Sequence, residues 1–165
     1  MSVDPSDYLP VPQPADIPIR EKEDAMGAYL MMFAGMAIAL PLPLLNLVAS
    51  FIYLYLNKKK SPFVHFHSLQ ALYSQIPVTI LNIIDLVWFI VILVNDYSFS
   101  SEFKGFTIMV LAINLADLIF SMIAAAKARK GLMYYYIFFG PVSYQRAFSK
   151  KRAIEKELVN MPPKF

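Results

Sequence analysis

Three apolar runs separated by short charged segments constrain this chain more than any other feature. They occupy residues 27–56, 69–94 and 105–126. One crossing of a bilayer core needs about 20 apolar residues, and each run is long enough. Soluble core helices rarely string together three such runs. Composition agrees: 58% of the residues are hydrophobic and only 16% are charged, against about 25% charged in a soluble domain. The expected fold is an all-α membrane protein with three transmembrane helices, plus interfacial and C-terminal amphipathic helices. The absence of cysteine excludes disulfides, thiolate metal sites and cysteine nucleophiles.

Lysine and arginine placement sets the expected orientation. Lys58, Lys59 and Lys60 follow the first run, and Lys127, Arg129 and Lys130 follow the third. The connection between the second and third runs carries only Lys104, against Asp96 and Glu102. The positive-inside rule then makes the first connection and the C-terminus cytoplasmic, in a bacterial inner membrane. Residues 1–25 carry no basic signal region. They are rich in proline and acids, and they read as a disordered tail that three crossings would place outside. Residues 26–140 form the membrane unit and 141–165 a basic cytoplasmic segment.

Pro41 and Pro43 interrupt the first run beside Asn46. Proline inside a helix removes a hydrogen bond and collides with the preceding turn. The first helix is therefore expected to cross with a kink or break there. The alternative is a re-entrant pair of half-helices, 27–40 and 44–56, that returns the N-terminus to the cytoplasm. Gly27, Met31, Gly35 and Ala39 share a helical face, and Ala124, Ala125 and Ala126 end the third run. Small residues at such positions let another helix approach closely.

Ser61-Pro62 is a helix start, with serine as N-cap and proline at the first helical position. A helix from there to Val94 is about 50 Å long at 1.5 Å per residue. That exceeds a core of about 30 Å, so its first turns lie at the cytoplasmic interface. His67, Gln70 and Gln75 make those turns a candidate partner or packing surface. Asn82 and Asp85 in the second run, and Asn114 and Asp117 in the third, repeat one Asn-x-x-Asp pattern. Buried polar groups in lipid seek partners on neighbouring helices. Counting depth from Val94 and Lys104 pairs Asn82 with Asp117 and Asp85 with Asn114. A proton or ion path through Asp85 and Asp117 in an oligomeric channel is the alternative.

The junction Ser61-Pro62-Phe63-Val64-x-Phe66-His67-x-x-Gln70-Ala71-Leu72, followed by Gln75, resembles the signature of small, uncharacterised bacterial membrane proteins. These are distantly related to the channel-type subunit of the Tic translocon of the chloroplast inner envelope. Ile123-Ala124-Ala125-Ala126-Lys127-Ala128, then Gly131 and Tyr135, is similar to that family's closing segment. The resemblance covers about residues 27–140. It implies a multi-span helical protein and, from the plastid members, a role in protein translocation or insertion.

His65 and His67 lack further ligands nearby, so a metal is not expected. There is no P-loop, G-x-S-x-G or zinc-protease motif, and no enzyme or cofactor is expected. A lipid-modifying enzyme using His67 is a further alternative. The segment 133–141 is too short to cross, and its aromatics suit the headgroup region. After it, Tyr144, Ala147, Phe148, Ile154 and Leu158 recur at helical spacing among Arg146, Lys150, Lys151 and Arg152. Such a helix contacts anionic lipid or a partner. The residues taken together describe an accessory or scaffold subunit of a membrane complex. Its partners would be lipid and other membrane subunits, with no nucleic acid.

Overall fold

The computed structural model describes residues 7–31 and 44–150. Within them the chain forms α1 (Ile19–Leu30), α2 (Leu44–Asn57), α3 (Pro62–Val94), α4 (Ser101–Arg129) and α5 (Phe139–Phe148). Two serine caps set the long helices. The Ser61 hydroxyl accepts from the Val64 N–H at 3.3 Å with Pro62 beside it. Ser100 does the same for Phe103 at 3.2 Å. Each cap satisfies an N–H that the first helical turn would leave without a partner. At its far end α4 closes on Gly131, whose φ is 77°. The Leu132 N–H reaches back to the Lys127 carbonyl at 3.0 Å. This left-handed close needs a residue without a Cβ, and Pro14 and Lys22 crowd the same point.

α3 is one helix in two environments. Nearly every residue from Phe63 to Gln75 is buried, whereas Ile76, Ile80, Ile84, Val87, Ile90 and Val94 are exposed. The stretch 76–94 is about 28 Å long at 1.5 Å per residue, which matches a bilayer core. α4 returns antiparallel beside it with Ile108, Leu111, Leu115 and Ile119 also exposed. These two helices are long and apolar enough to cross a membrane. The buried half of α3 belongs to a base made with α1, the end of α4 and the 132–148 segment. There Ala25 and Ala28 of α1 share a core with Ala124, Ala125 and Ala128 of α4. Small side chains on both faces allow close helix approach, the use expected of Ala124 and Ala125.

The described residues do not show the single crossing expected of the first apolar run. α1 ends at Leu30, and α2 is described over the 14 residues Leu44–Asn57. Pro41 and Pro43 lie outside the described residues. The two ends of the run nevertheless meet. The Tyr53 hydroxyl donates to the Asp24 carbonyl at 2.7 Å, and a Cβ on Gly27 would collide with that hydroxyl. A continuous helix would hold residues 27 and 53 about 39 Å apart, so the chain doubles back. Two crossing helices, rather than three, are seen among the described residues.

The expected tail also differs. Helix begins at Ile19, directly after Pro18, because proline's fixed φ suits the start of a helix while excluding its interior. Ile17 is buried, and Leu9 N–H donates to the Phe148 carbonyl at 2.8 Å. Lys60 pairs with Asp24 at 2.6 Å and Arg129 with Glu23 at 3.4 Å. Both pairs are solvent-accessible and contribute little stability. Their value is topological: they place the acidic segment at the same end as the lysines, not opposite them.

The cysteine-free chain allows a direct check. Glu23→Cys and Lys59→Cys should react with an impermeant maleimide from one side of sealed vesicles, and Ser98→Cys from the other. Labelling of Glu23→Cys from the Ser98 side would restore the crossing first helix.

Candidate functional site

The densest polar chemistry lies in the base, around Gln70. Its side chain is fully buried, and its amide is saturated. Oε1 accepts from the Tyr136 backbone N–H at 3.0 Å. Nε2 donates to the Tyr134 carbonyl at 2.8 Å and to the Tyr29 hydroxyl at 2.8 Å. A backbone N–H can only donate and a carbonyl only accept, so the orientation of the amide is determined by its partners. Tyr29 Oη, already accepting from Gln70, lies 2.9 Å from His67 Nδ1. Which of the two donates follows the imidazole tautomer. Among the described residues His67 Nε2 has no partner, and Phe63 and Phe66 pack edge-on to the ring at 4.6 and 4.9 Å. An imidazole this enclosed orients its neighbours, and it offers no face to a substrate.

Burial dominates the electrostatics here. It pushes the Tyr29 phenol well above its ordinary value, with the neighbouring Tyr136 phenol adding to the effect. Tyr136 is raised for the same first reason, offset in part by its contact with Ser121. That hydroxyl pair is 3.3 Å apart.

Polar contacts continue along the hairpin. Gln75 Nε2 donates to Asp117 at 2.7 Å. Asn82 and Asn114 exchange amide hydrogen bonds at 3.1 and 2.9 Å. Each also donates to a carbonyl one turn earlier on its own helix, Val78 or Val110. Thr107 donates to Asp85 at 2.7 Å. The polar positions do meet across the two helices, but out of the expected register. Asn82 faces Asn114, three residues from Asp117, and Asp85 faces Thr107, seven residues from Asn114. Depth reckoned from Lys104 ignores the Ser100 cap, which begins the helix at Ser101. Those three residues, about 4.5 Å, account for the shift at Asn82 and for part of the shift at Asp85. Both carboxylates are thereby held by neighbours within the hairpin.

His67, Gln70 and Gln75 thus belong to internal packing and do not form a free surface. Tyr29, Thr107, Ser121, Tyr134 and Tyr136 join the network without having been singled out by sequence pattern. The only advance signal was Gln70 itself, an amide on an apolar face that must find partners. On α5, Tyr144 and Phe148 turn inward and stack at 4.9 Å. Arg146 lies over the Tyr73 ring at 5.7 Å, and Lys150 is exposed. Lys151, Arg152, Ile154 and Leu158 lie outside the described residues. Among the described residues no three His, Asp or Glu converge to hold a metal.

Two measurements test this network. Gln70→Ala strands a buried N–H and a buried carbonyl and should cost about 3 kcal/mol in detergent unfolding. Asn82→Ala, on the hairpin, should cost nearer about 0.6 kcal/mol. Stability should also fall as pH rises above the ordinary tyrosine value of 10.0. There the unfolded phenols ionise while Tyr29 and Tyr136 stay protonated, so their contribution is complete below that pH and lost above it. An alkaline unfolding titration of a Tyr29→Phe/Tyr136→Phe variant should show a shallower fall.

The sequence model of the magnetosome magnetite crystal formation protein family, MamF/MmsF, matches residues 21–143, from α1 into α5. No curated protein and no solved structure matches the chain. The match corrects the Tic-related resemblance: the junction and alanine-rich segments fall inside a magnetosome family, and the translocation role that rested on them goes with it.

Proposed function

The chain belongs to the MamF/MmsF magnetosome magnetite crystal formation family, and from that premise we propose that it is a non-enzymatic membrane protein accessory to magnetite crystal formation. The observation that carries the reading is the extent of the family match, which takes in the base and the whole hairpin. The structure is consistent with an accessory role. Polar side chains along its axis pair internally: Asp85 with Thr107, Asp117 with Gln75, and His67 with Tyr29. That supports a scaffold over a conducting path or a reaction centre. Lys58–Lys60, Lys127, Arg129 and Lys130 all belong to the base end, so the positive-inside rule puts the base in the cytoplasm. The Asn95–Ser100 turn then faces the compartment in which a crystal would grow, and the hairpin ties the two sides together.

Deleting the chromosomal copy in a magnetite-forming host should change crystal size or shape in electron micrographs, and the wild-type gene should restore it. Unaltered crystals in the deletion strain would refute the proposal. Complementation with Gln70→Ala, with protein level measured in parallel, shows whether an intact base is required.

A further inference from the structure

α5 packs against the buried half of α3. Tyr135, just before α5, and Phe148, its last residue, both meet the same α3 ring, Phe66, at 5.2 and 6.5 Å. The depth of α5 follows from α3. Tyr136 is bonded at Gln70, about 9 Å below the start of the exposed stretch at Ile76, and Arg146 reaches Tyr73, about 4.5 Å below it. Those are headgroup depths.

The inner face of α5 is occupied by the packing of Gly140, Ser143 and Phe148. Another side of it is exposed. Phe138, Val142 and Arg146 follow one another at four-residue spacing and form a single line. Phe138 is 79% exposed and Val142 44%, and Ile137 beside them is 87% exposed. Arg146 at the end of the line and Lys150, just past the extended Ser149 that closes the helix, are exposed cations. The line is therefore apolar at one end and basic at the other, which suits acyl chains next to anionic headgroups. Water alone would leave the exposed Ile137, Phe138 and Val142 uncompensated. Lipid at that depth is already required by the exposed face of α3 directly above.

We propose that α5 is an interfacial helix that seats Ile137, Phe138 and Val142 in the cytoplasmic-side leaflet and holds anionic phospholipid headgroups with Arg146 and Lys150. This rests on the membrane placement of the hairpin and not on any role in crystal growth. The occupant is the leaflet that α3 enters. The function would be to fix the tilt and depth of the base against the membrane, and to favour membranes rich in anionic lipid.

Single-cysteine variants carrying an environment-sensitive fluorophore test this in nanodiscs of phosphatidylcholine alone or mixed with phosphatidylglycerol. Probes at Phe138→Cys and Val142→Cys should be quenched by brominated lipid and shielded from iodide. A probe at Ile84→Cys marks the bilayer interior, and one at Lys59→Cys marks water. Arg146→Gln and Lys150→Gln should each lower the preference for phosphatidylglycerol roughly fivefold, and leave the Ile84 probe unchanged. Iodide quenching at 138 and 142 equal to that at 59 would overturn the proposal. So would shielding from both quenchers, which would mean a protein covers the line. Bromolipid quenching at 84 separates a failure of this proposal from a failure of the membrane reading itself.

Discussion

The amide of Gln70 is the interaction on which the remaining architecture depends. A primary amide buried at the foot of a membrane helix is tolerable only if its donors and acceptor are met. Here the partners come from two distant segments: Tyr29 of α1 and the backbone of 134–136. One side chain therefore joins the N-terminal helix to the connection between α4 and α5. The same contact orients Tyr29, and through it His67. It also positions the connection that leads into α5, which packs on α3. Hydrophobic packing around Phe63, Ala71 and Ala124 stabilises the base, but it is non-directional. Directional bonds select one arrangement from the many that would bury those residues.

Above the base the energetic logic changes. Lipid tails are as apolar as the side chains, so burying apolar surface between α3 and α4 offers little gain. The hairpin instead carries cross-helix hydrogen bonds at Gln75–Asp117, Asn82–Asn114 and Asp85–Thr107. Each is modest in strength, but together they specify register. Near the turn, aromatic contacts take over, with Trp88 and Phe89 against Phe103. A helix buried by protein in its first half and by lipid in its second has to satisfy its polar groups differently in each.

Much of this was legible in the sequence because it depends on local chemistry. Ser61-Pro62 marks a helix start wherever it occurs before an apolar run, and α3 begins there. The alanines at the end of the third run announced close packing, and α1 supplies the partner. The Asn and Asp positions announced that the two long helices would share polar contacts. Their register differs from the depth count by about one turn at Asn82 and about two at Asp85, and the Ser100 cap, a local signal, accounts for the first. The role of Tyr134 and Tyr136 was not legible, since the groups bonded to Gln70 are backbone atoms that carry no sequence signature.

Read residue by residue, length and hydropathy specify a helical, apolar chain. They also imply that Gln70, Asn82, Asp85, Asn114 and Asp117 need partners. The fold supplies those partners, and it brings Tyr53 against Asp24. A proline pair is compatible with both a kinked crossing and a return. What separates the two is a contact between residues 29 positions apart, and no local pattern records such a contact.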